Sequence, residues 1–281
     1  NIELFRINLS HTEIKDLKNI INYIKKKTNV PICIDTEGAQ IRTRFKNKKL
    51  LKINKFIKID NNDKSNNLSF YPDIYNQLSL NMILDIGFEN LQIKITKKEK
   101  NCFLAKIISE GHLEKNKGVH INNGSITLPI LTNKDLEAIK IAKKMKINNF
   151  ALSFTNSPKD ILFFNKILSK ERKIIKIETK KAVKNIEKIL KHCDEILIDR
   201  GDLSKEINII EVPKAQRKIQ KIANQKDKKV YIATNLLESM VSKPYPTRAE
   251  INDIYNCLEL GADGLVLAAE TAVGKWPLEC I

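Results

Sequence analysis

Seven short apolar runs punctuate the chain: Ile2–Leu9, Pro31–Asp35, Asn149–Phe154, Lys173–Glu178, Glu195–Asp199, Lys229–Thr234 and Gly264–Ala268. They are rich in Ile and Val and apolar along most of their length, the pattern of parallel strands covered on both faces. Amphipathic segments lie between them: His11–Lys27, Asn133–Lys146, Pro158–Lys170, Lys180–His192, Val212–Gln225 and Pro246–Leu260. Asn133 with Glu137, and Ser157 with Pro158, look like helix starts, and Gly261 follows the last helix as a C′ glycine would. Strand and helix alternate often enough to predict an α/β fold, a (β/α)₈ TIM-type barrel with seven strands visible, over an open sheet.

The pattern breaks between about Gln40 and Gly118. There, short alternating runs (Leu51–Ile59, Met82–Ile86, Leu91–Thr96 and Cys102–Ser109) are separated by polar turns, as expected of half-buried antiparallel strands. The sequence therefore predicts a barrel formed by residues 1–39 and 119–281, its pattern fully resumed near Ile126, with an inserted β-barrel-like lid domain at 40–118. Lys58–Asn67 is expected to be the least structured part of the insertion.

Composition narrows the function classes. No run approaches eighteen apolar residues, so no membrane-spanning helix is expected. The five cysteines are scattered without a Cys-x-x-Cys pair, which points to reduced thiols and a cytoplasmic protein. The net charge of +17 comes from lysines spread along the chain with few aromatics, so neither a nucleic-acid nor a membrane partner is expected. The chain starts at Asn1, already in a strand-like run, which favours a fragment of a longer sequence.

Candidate chemistry collects at the C-terminal ends of the strand-like runs, where (β/α)₈ barrels carry their active sites. Lys176 and Glu178 are two apart on a strand and share one face, as a salt bridge or as part of a site. In Arg200-Gly201-Asp202 the glycine lets a ligand approach the backbone, and Asp202 is either a cation ligand or a helix N-cap. Thr234 ends another strand, as a pocket hydroxyl or a backbone cap. Arg6, Asn8 and Ser10 alternate onto one face, an arrangement that suits an oxyanion site beside a weakly held monovalent ion, and Asp35-Thr36 adds oxygen ligands at the next strand end. Thr247-x-x-Glu250 is a capping box for the following helix.

Taken in order, these segments resemble the pyruvate kinase family. The runs that carry the resemblance are Arg6-Ile-Asn-Leu-Ser-His11, Ile34-Asp-Thr-Glu-Gly38 with Ile41-Arg42-Thr43, Asn116-Lys117-Gly118-Val119, Leu152-Ser153-Phe154, Lys176-Ile-Glu178, Arg200-Gly-Asp-Leu203, Ala233-Thr-Asn-Leu-Leu-Glu-Ser-Met240, Pro246-Thr-Arg-Ala-Glu250 and Ala269-Glu-Thr-Ala272. The resemblance implies transfer of the phosphoryl group of phosphoenolpyruvate to ADP, giving pyruvate and ATP. It implies Mg²⁺ (or Mn²⁺) on Glu178 and Asp202, and Lys176 against the transferring phosphoryl group. It implies Gly201, Asp202 and Thr234 around the substrate carboxylate, with Thr234 also near the proton path, and Arg6 on the phosphate. K⁺ is implied on Asn8, Ser10, Asp35 and Thr36, and the nucleotide on Arg42 and Lys117 with Asn8 and His11 nearby. A homo-oligomer through the barrel domain is compatible with it. The alternatives are a metal-dependent lyase or aldolase acting through a pyruvate enolate, and a non-catalytic paralogue. The family's first strand and C-terminal domain have no counterpart in this sequence. Departures from the family pattern fall at Gln40, which leaves K⁺ dependence open, and at Asp85, Asn156, Asp199, Ala268 and Val273. Asp199 stands where a small residue is usual.

Overall fold

A computed structural model describes residues 2–62, 65–87, 91–124 and 126–281. The chain divides into two compact units, Asn1–Gly38 with Ile130–Ile281, and Ala39–Pro129.

The larger unit is built on a seven-stranded parallel sheet. Its strands are β1 (Phe5–Asn8), β2 (Ile32–Asp35), β3 (Asn149–Leu152), β4 (Arg172–Ile177), β5 (Glu195–Asp199), β6 (Lys229–Ala233) and β7 (Gly264–Val266), paired in that order. Each pairs with the next in parallel, with Asn8 abreast of Asp35, Asp35 of Ala151, and Asp199 of Ala233. The expected α/β barrel architecture is thus present as a curled sheet. Its curl is direct: Arg172 of β4 reaches Glu3, just ahead of β1, at 2.7 Å and the Tyr231 hydroxyl of β6 at 2.8 Å.

Alternation along each strand sorts the side chains. Ile32 and Ile34, Ile175 and Ile177, Ile196 and Ile198, and Val230 and Ile232 pack outward against the helices in the main core. Cys33, Ala151, Ile174, Leu197, Tyr231 and Ala233 form a separate inward layer. Stacked inward layers of this kind fill a (β/α) barrel. One step further towards the strand C-termini, the inward positions are Arg6, Asp35, Lys176 and Asp199, so the apolar plug sits directly beneath a charged layer.

The helices follow the sequence with local corrections. Asn133–Lys144 is capped by Thr132, one residue ahead of the expected start, because Thr132 and Asp135 bond reciprocally. Ser157 and Pro158 open Pro158–Ile167 as expected, with Asp160 accepting the Ser157 N–H. The single helix expected over Lys180–His192 is broken into Lys180–Lys184 and Ile186–Ile189 at Asn185. Gly261 ends Arg248–Glu259 at φ 83°, where a side chain is strained.

The capping box at the start of Arg248–Glu259 carries a pH signature. Glu250 accepts from the Thr247 N–H at 2.7 Å and from the Ser239 N–H and Oγ at 2.7 and 2.6 Å. Partial burial opposes ionisation, but these donors outweigh it and bring the carboxyl down to about 2. The folded state therefore gains stability above the unfolded carboxyl's 4.5 and loses it as pH falls towards 2. Glu250→Ala is expected to cost about 1 kcal/mol at neutral pH. In thermal melts, the gap between parent and variant should close as pH falls through that window.

The smaller unit contains a five-stranded antiparallel sheet in the order Val119–Ile121, Ile83–Ile86, Leu91–Lys98, Phe103–Ser109 and Phe56–Ile59. Two short pairs, Lys49–Leu51 with Gly111–Leu113 and Arg42–Arg44 with Ser69–Tyr71, complete it among the described residues. Alternation buries Leu91, Ile93 and Ile95 against Phe103, Ala105 and Ile107. Val119–Ile121, expected to begin the second barrel segment, instead pairs with Ile83–Ile86. Within Lys58–Asn67, Asp63 and Lys64 lie outside the described residues, and Asp60 accepts bonds from Ser65 Oγ and Asn67 Nδ2 at 3.0 and 2.7 Å.

Candidate active site

Four barrel strands converge on one ammonium group. Lys176 Nζ, at the end of β4 and 5% exposed, lies 2.7 Å from Glu178 Oε1 and 3.4 Å from both Asp35 Oδ2 and Asp199 Oδ2. It also donates to Ser153 Oγ at 3.2 Å. Burial alone would discharge such a lysine, but Asp35, Glu178 and Asp199 overcome it and raise its pKa, so it stays charged. The salt bridge and the site are thus the same structure.

Arg6 donates to Asp35 Oδ2 at 2.9 Å, so Asp35 bridges the two cations. Ser153 donates to Thr36 O at 2.6 Å and lies 3.2 Å from Asp35 Oδ1. Thr36 Oγ1 accepts from the Ser153 N–H and donates to Ala151 O. Asn8 Oδ1 caps the turn Leu9–His11 by accepting the Ser10 N–H at 2.9 Å. Asn8 and Asp35 are therefore neighbours in register, while Ser10 and His11 are exposed beyond the strand end.

Asp202 is not an N-cap. β5 runs straight into the helix Arg200–Glu206, and Asp202 lies in its first turn, paired with Lys205 at 2.6 Å. Among the described residues Glu178, Asp199 and Asp202 each offer an oxygen, and the three oxygens lie within 4.8 Å of one another. Glu178 is fully buried. One oxygen accepts the Phe154 N–H at 2.6 Å, and the other has no hydrogen-bond donor in bonding geometry, although Lys176 is ion-paired to it. Burial, together with the charges of Asp199 and Asp202, raises the Glu178 carboxyl above the ordinary range. A hard divalent cation fits this donor set: carboxylate oxygens only, one of them buried and incompletely bonded.

Three contributors have no role assigned from the sequence, where Ser153 and Phe154 figure only in the runs Asn149–Phe154 and Leu152-Ser153-Phe154 and Asp135 is not named. Ser153 ties β2 to Lys176. Phe154, at φ 54°, turns its N–H onto Glu178, with Gly38 packed so closely that a Cβ there would meet its ring at 2.7 Å. Asp135, fully buried, accepts the N–H groups of Glu37, Gly38 and Thr132 at 2.8, 3.1 and 3.0 Å. Asn156 is taken up by local bonds, accepting from Thr179 Oγ1 at 2.6 Å.

Arg42 and Lys117 belong to the smaller unit. There Arg42 bonds Gln40 Oε1 and Asn116 O, the latter at 3.4 Å, and Lys117 Nζ lies 3.9 Å from Glu114. Gln40 is thus a partner of Arg42 within its own unit.

Fold and rim together define a (β/α) barrel domain with a lysine-centred, metal-competent carboxylate cluster at the C-terminal strand ends. Residues 1–281 match the family model for the pyruvate kinase barrel domain. Pyruvate kinase of Thermotoga maritima is 37% identical over 303 residues, covering 100% of this chain and 63% of the relative. The Methanocaldococcus jannaschii enzyme is 33% identical, covering 100% and 62%, and that of Staphylococcus epidermidis 31% identical, covering 98% and 50%. The chain belongs to the pyruvate kinase family, and it spans between half and 63% of the length of these relatives. No helix among the described residues is long and apolar enough to cross a membrane.

Proposed function

We propose that the protein, in its full-length form, transfers the phosphoryl group of phosphoenolpyruvate to ADP, giving pyruvate and ATP. The observation that carries this reading is Lys176, held charged among Asp35, Glu178 and Asp199 in a chain whose whole length matches the family. Phosphoryl transfer needs charge neutralisation and in-line positioning more than covalent help from the protein.

Glu178 and Asp202 would hold Mg²⁺ or Mn²⁺, which supplies positive charge to the phosphoryl oxygens when bound. Lys176 stabilises the same charge from the barrel interior, and Arg6 reaches the phosphate while anchored on Asp35. Backbone N–H groups at Gly201 and Asp202 hold the substrate carboxylate. Asn8, Ser10, Asp35 and Thr36 are the proposed K⁺ ligands, and Arg42 and Lys117, with Asn8 and His11, the proposed nucleotide contacts. The domain roles, a cytoplasmic location and a homo-oligomer built through the barrel unit remain part of this proposal. The relatives named above are all pyruvate kinases, so nothing favours the lyase or non-catalytic alternatives.

The test is ATP formation by the full-length protein from phosphoenolpyruvate and ADP with Mg²⁺, with and without K⁺. Turnover no greater than that of Lys176→Met refutes the reading, and turnover unaffected by K⁺ removes the monovalent site.

A further inference from the structure

Thr234 is held at three points. Its hydroxyl donates to Asp199 Oδ1 at 2.6 Å. Its carbonyl accepts Arg200 Nε and Nη2 at 3.0 and 2.6 Å. Its methyl faces Gly201, where a Cβ would approach Thr234 Cγ2 to 2.8 Å. The result is a β-branched residue at φ 76°, a region such residues rarely enter. A conformation of this kind persists only where its surroundings over-determine it.

Asp199 is fixed in turn. It is 7% exposed and lies 3.4 Å from Lys176 Nζ. Its Oδ2 is ion-paired to the Lys176 ammonium, and its Oδ1 faces the Thr234 hydroxyl. An ionised carboxylate only accepts hydrogen bonds, and a threonine hydroxyl has one proton to give. With that proton on Asp199, Thr234 Oγ1 has only lone pairs left to offer.

We propose that Asp199 is a positioning residue that fixes the direction of the Thr234 hydroxyl, so that Thr234 meets its ligand as a hydrogen-bond acceptor. This rests on the phosphotransferase reading and sharpens it. The substrate carboxylate is itself an acceptor and gains nothing from Thr234 in this state, so its recognition falls to the backbone at Gly201 and Asp202. Thr234 instead holds a donor, a water molecule on the side where the enolate carbon is protonated. Of the two roles that the family resemblance gives Thr234, Asp199 selects the one on the proton path.

The test is a double-mutant cycle in the full-length enzyme with Asp199→Ala, Thr234→Val and both together. The readouts are steady-state kinetics with phosphoenolpyruvate and exchange of pyruvate methyl protons with deuterated solvent. Each single variant is expected to lower kcat and the exchange rate by about tenfold to 100-fold, with the KM for phosphoenolpyruvate nearly unchanged and the double variant no worse than Thr234→Val. Asp199→Glu keeps two acceptor oxygens, one for Lys176 and one for Thr234, and should recover most of the exchange rate, and it covers the case in which Asp199→Ala does not fold. Losses that multiply in the double variant, or that appear mainly in KM, overturn the proposal. A crystal structure of Asp199→Ala, or of Asp199→Glu if the former does not fold, supplies a readout independent of turnover. Rotation of the Thr234 hydroxyl in Asp199→Ala, or its retained bond to position 199 in Asp199→Glu, supports the proposal. An unaltered Thr234 in the alanine variant, or a broken bond with full exchange in the glutamate variant, overturns it. If the parent enzyme fails to turn over phosphoenolpyruvate, the phosphotransferase reading falls, and the structural arm alone decides the positioning role.

Discussion

Lys176→Met is expected to lower kcat for phosphoryl transfer in the full-length enzyme by about 10³-fold. The loss is larger than that of a surface cation because the charge acts in a dry site, at 5% exposure, where water does not screen it. The substitution also removes the ammonium that Asp35, Glu178 and Asp199 share within 2.7 to 3.4 Å, leaving Arg6 as the cation on Asp35 and, among the described residues, none paired to the other two. Breaking a buried pair by removing one partner costs about 3–5 kcal/mol, so urea unfolding should show a lowered midpoint beside the kinetic loss. Kinetics are then measured where circular dichroism shows the variant folded. A folded variant with parental kcat would remove Lys176 from the reaction.

Glu178→Gln is expected to weaken Mn²⁺ binding by about 100-fold or more, as read by titration calorimetry or the paramagnetic signal of the free ion. The amide keeps the shape and the bond from Phe154 but loses the charge. In the parent protein, burial and the charges of Asp199 and Asp202 raise the Glu178 carboxyl. A cation therefore competes with a proton there, and apparent affinity should rise with pH through neutrality in the parent. That rise should flatten in Glu178→Gln. Parental Mn²⁺ affinity in the variant would show that Asp199 and Asp202 hold the metal without Glu178.

The barrel strands were legible because apolar length and Ile and Val content are local properties, as is the alternation that marks the insertion. Lys176-Ile-Glu178 announces two charged groups on one face of an apolar strand, and the structure places them there. What escaped is what depends on distant partners. Ser153 and Asp135 act on residues up to 118 and 98 positions away; no local pattern marks Asp135, and the run Leu152-Ser153-Phe154 gives Ser153 no role. Asp199 was visible only as a carboxylate in an awkward place. Its ties to Thr234 and Lys176 require the register of β4, β5 and β6, which sequence spacing does not supply. The break at Asn185 is of the same kind, since its amide is drawn to Asn156 O at 2.9 Å. Val119–Ile121 shows the limit from the other side: an alternating tripeptide announces a strand but not the sheet it joins.

Asp135 has a bearing on how such a chain is assembled. Its one carboxylate grips the backbone at Glu37 and Gly38, where the chain leaves the barrel unit, and at Thr132, just after it re-enters. The two ends of the intervening segment are thus stitched together by the barrel unit itself, whatever lies between them. Loop-closure entropy grows only slowly with length, so a stitched junction tolerates cargo of very different size. The Gly38–Thr132 junction is a ready-made graft point: a short turn or a foreign module set there would inherit its anchor, and the barrel unit would carry that module as a modular passenger.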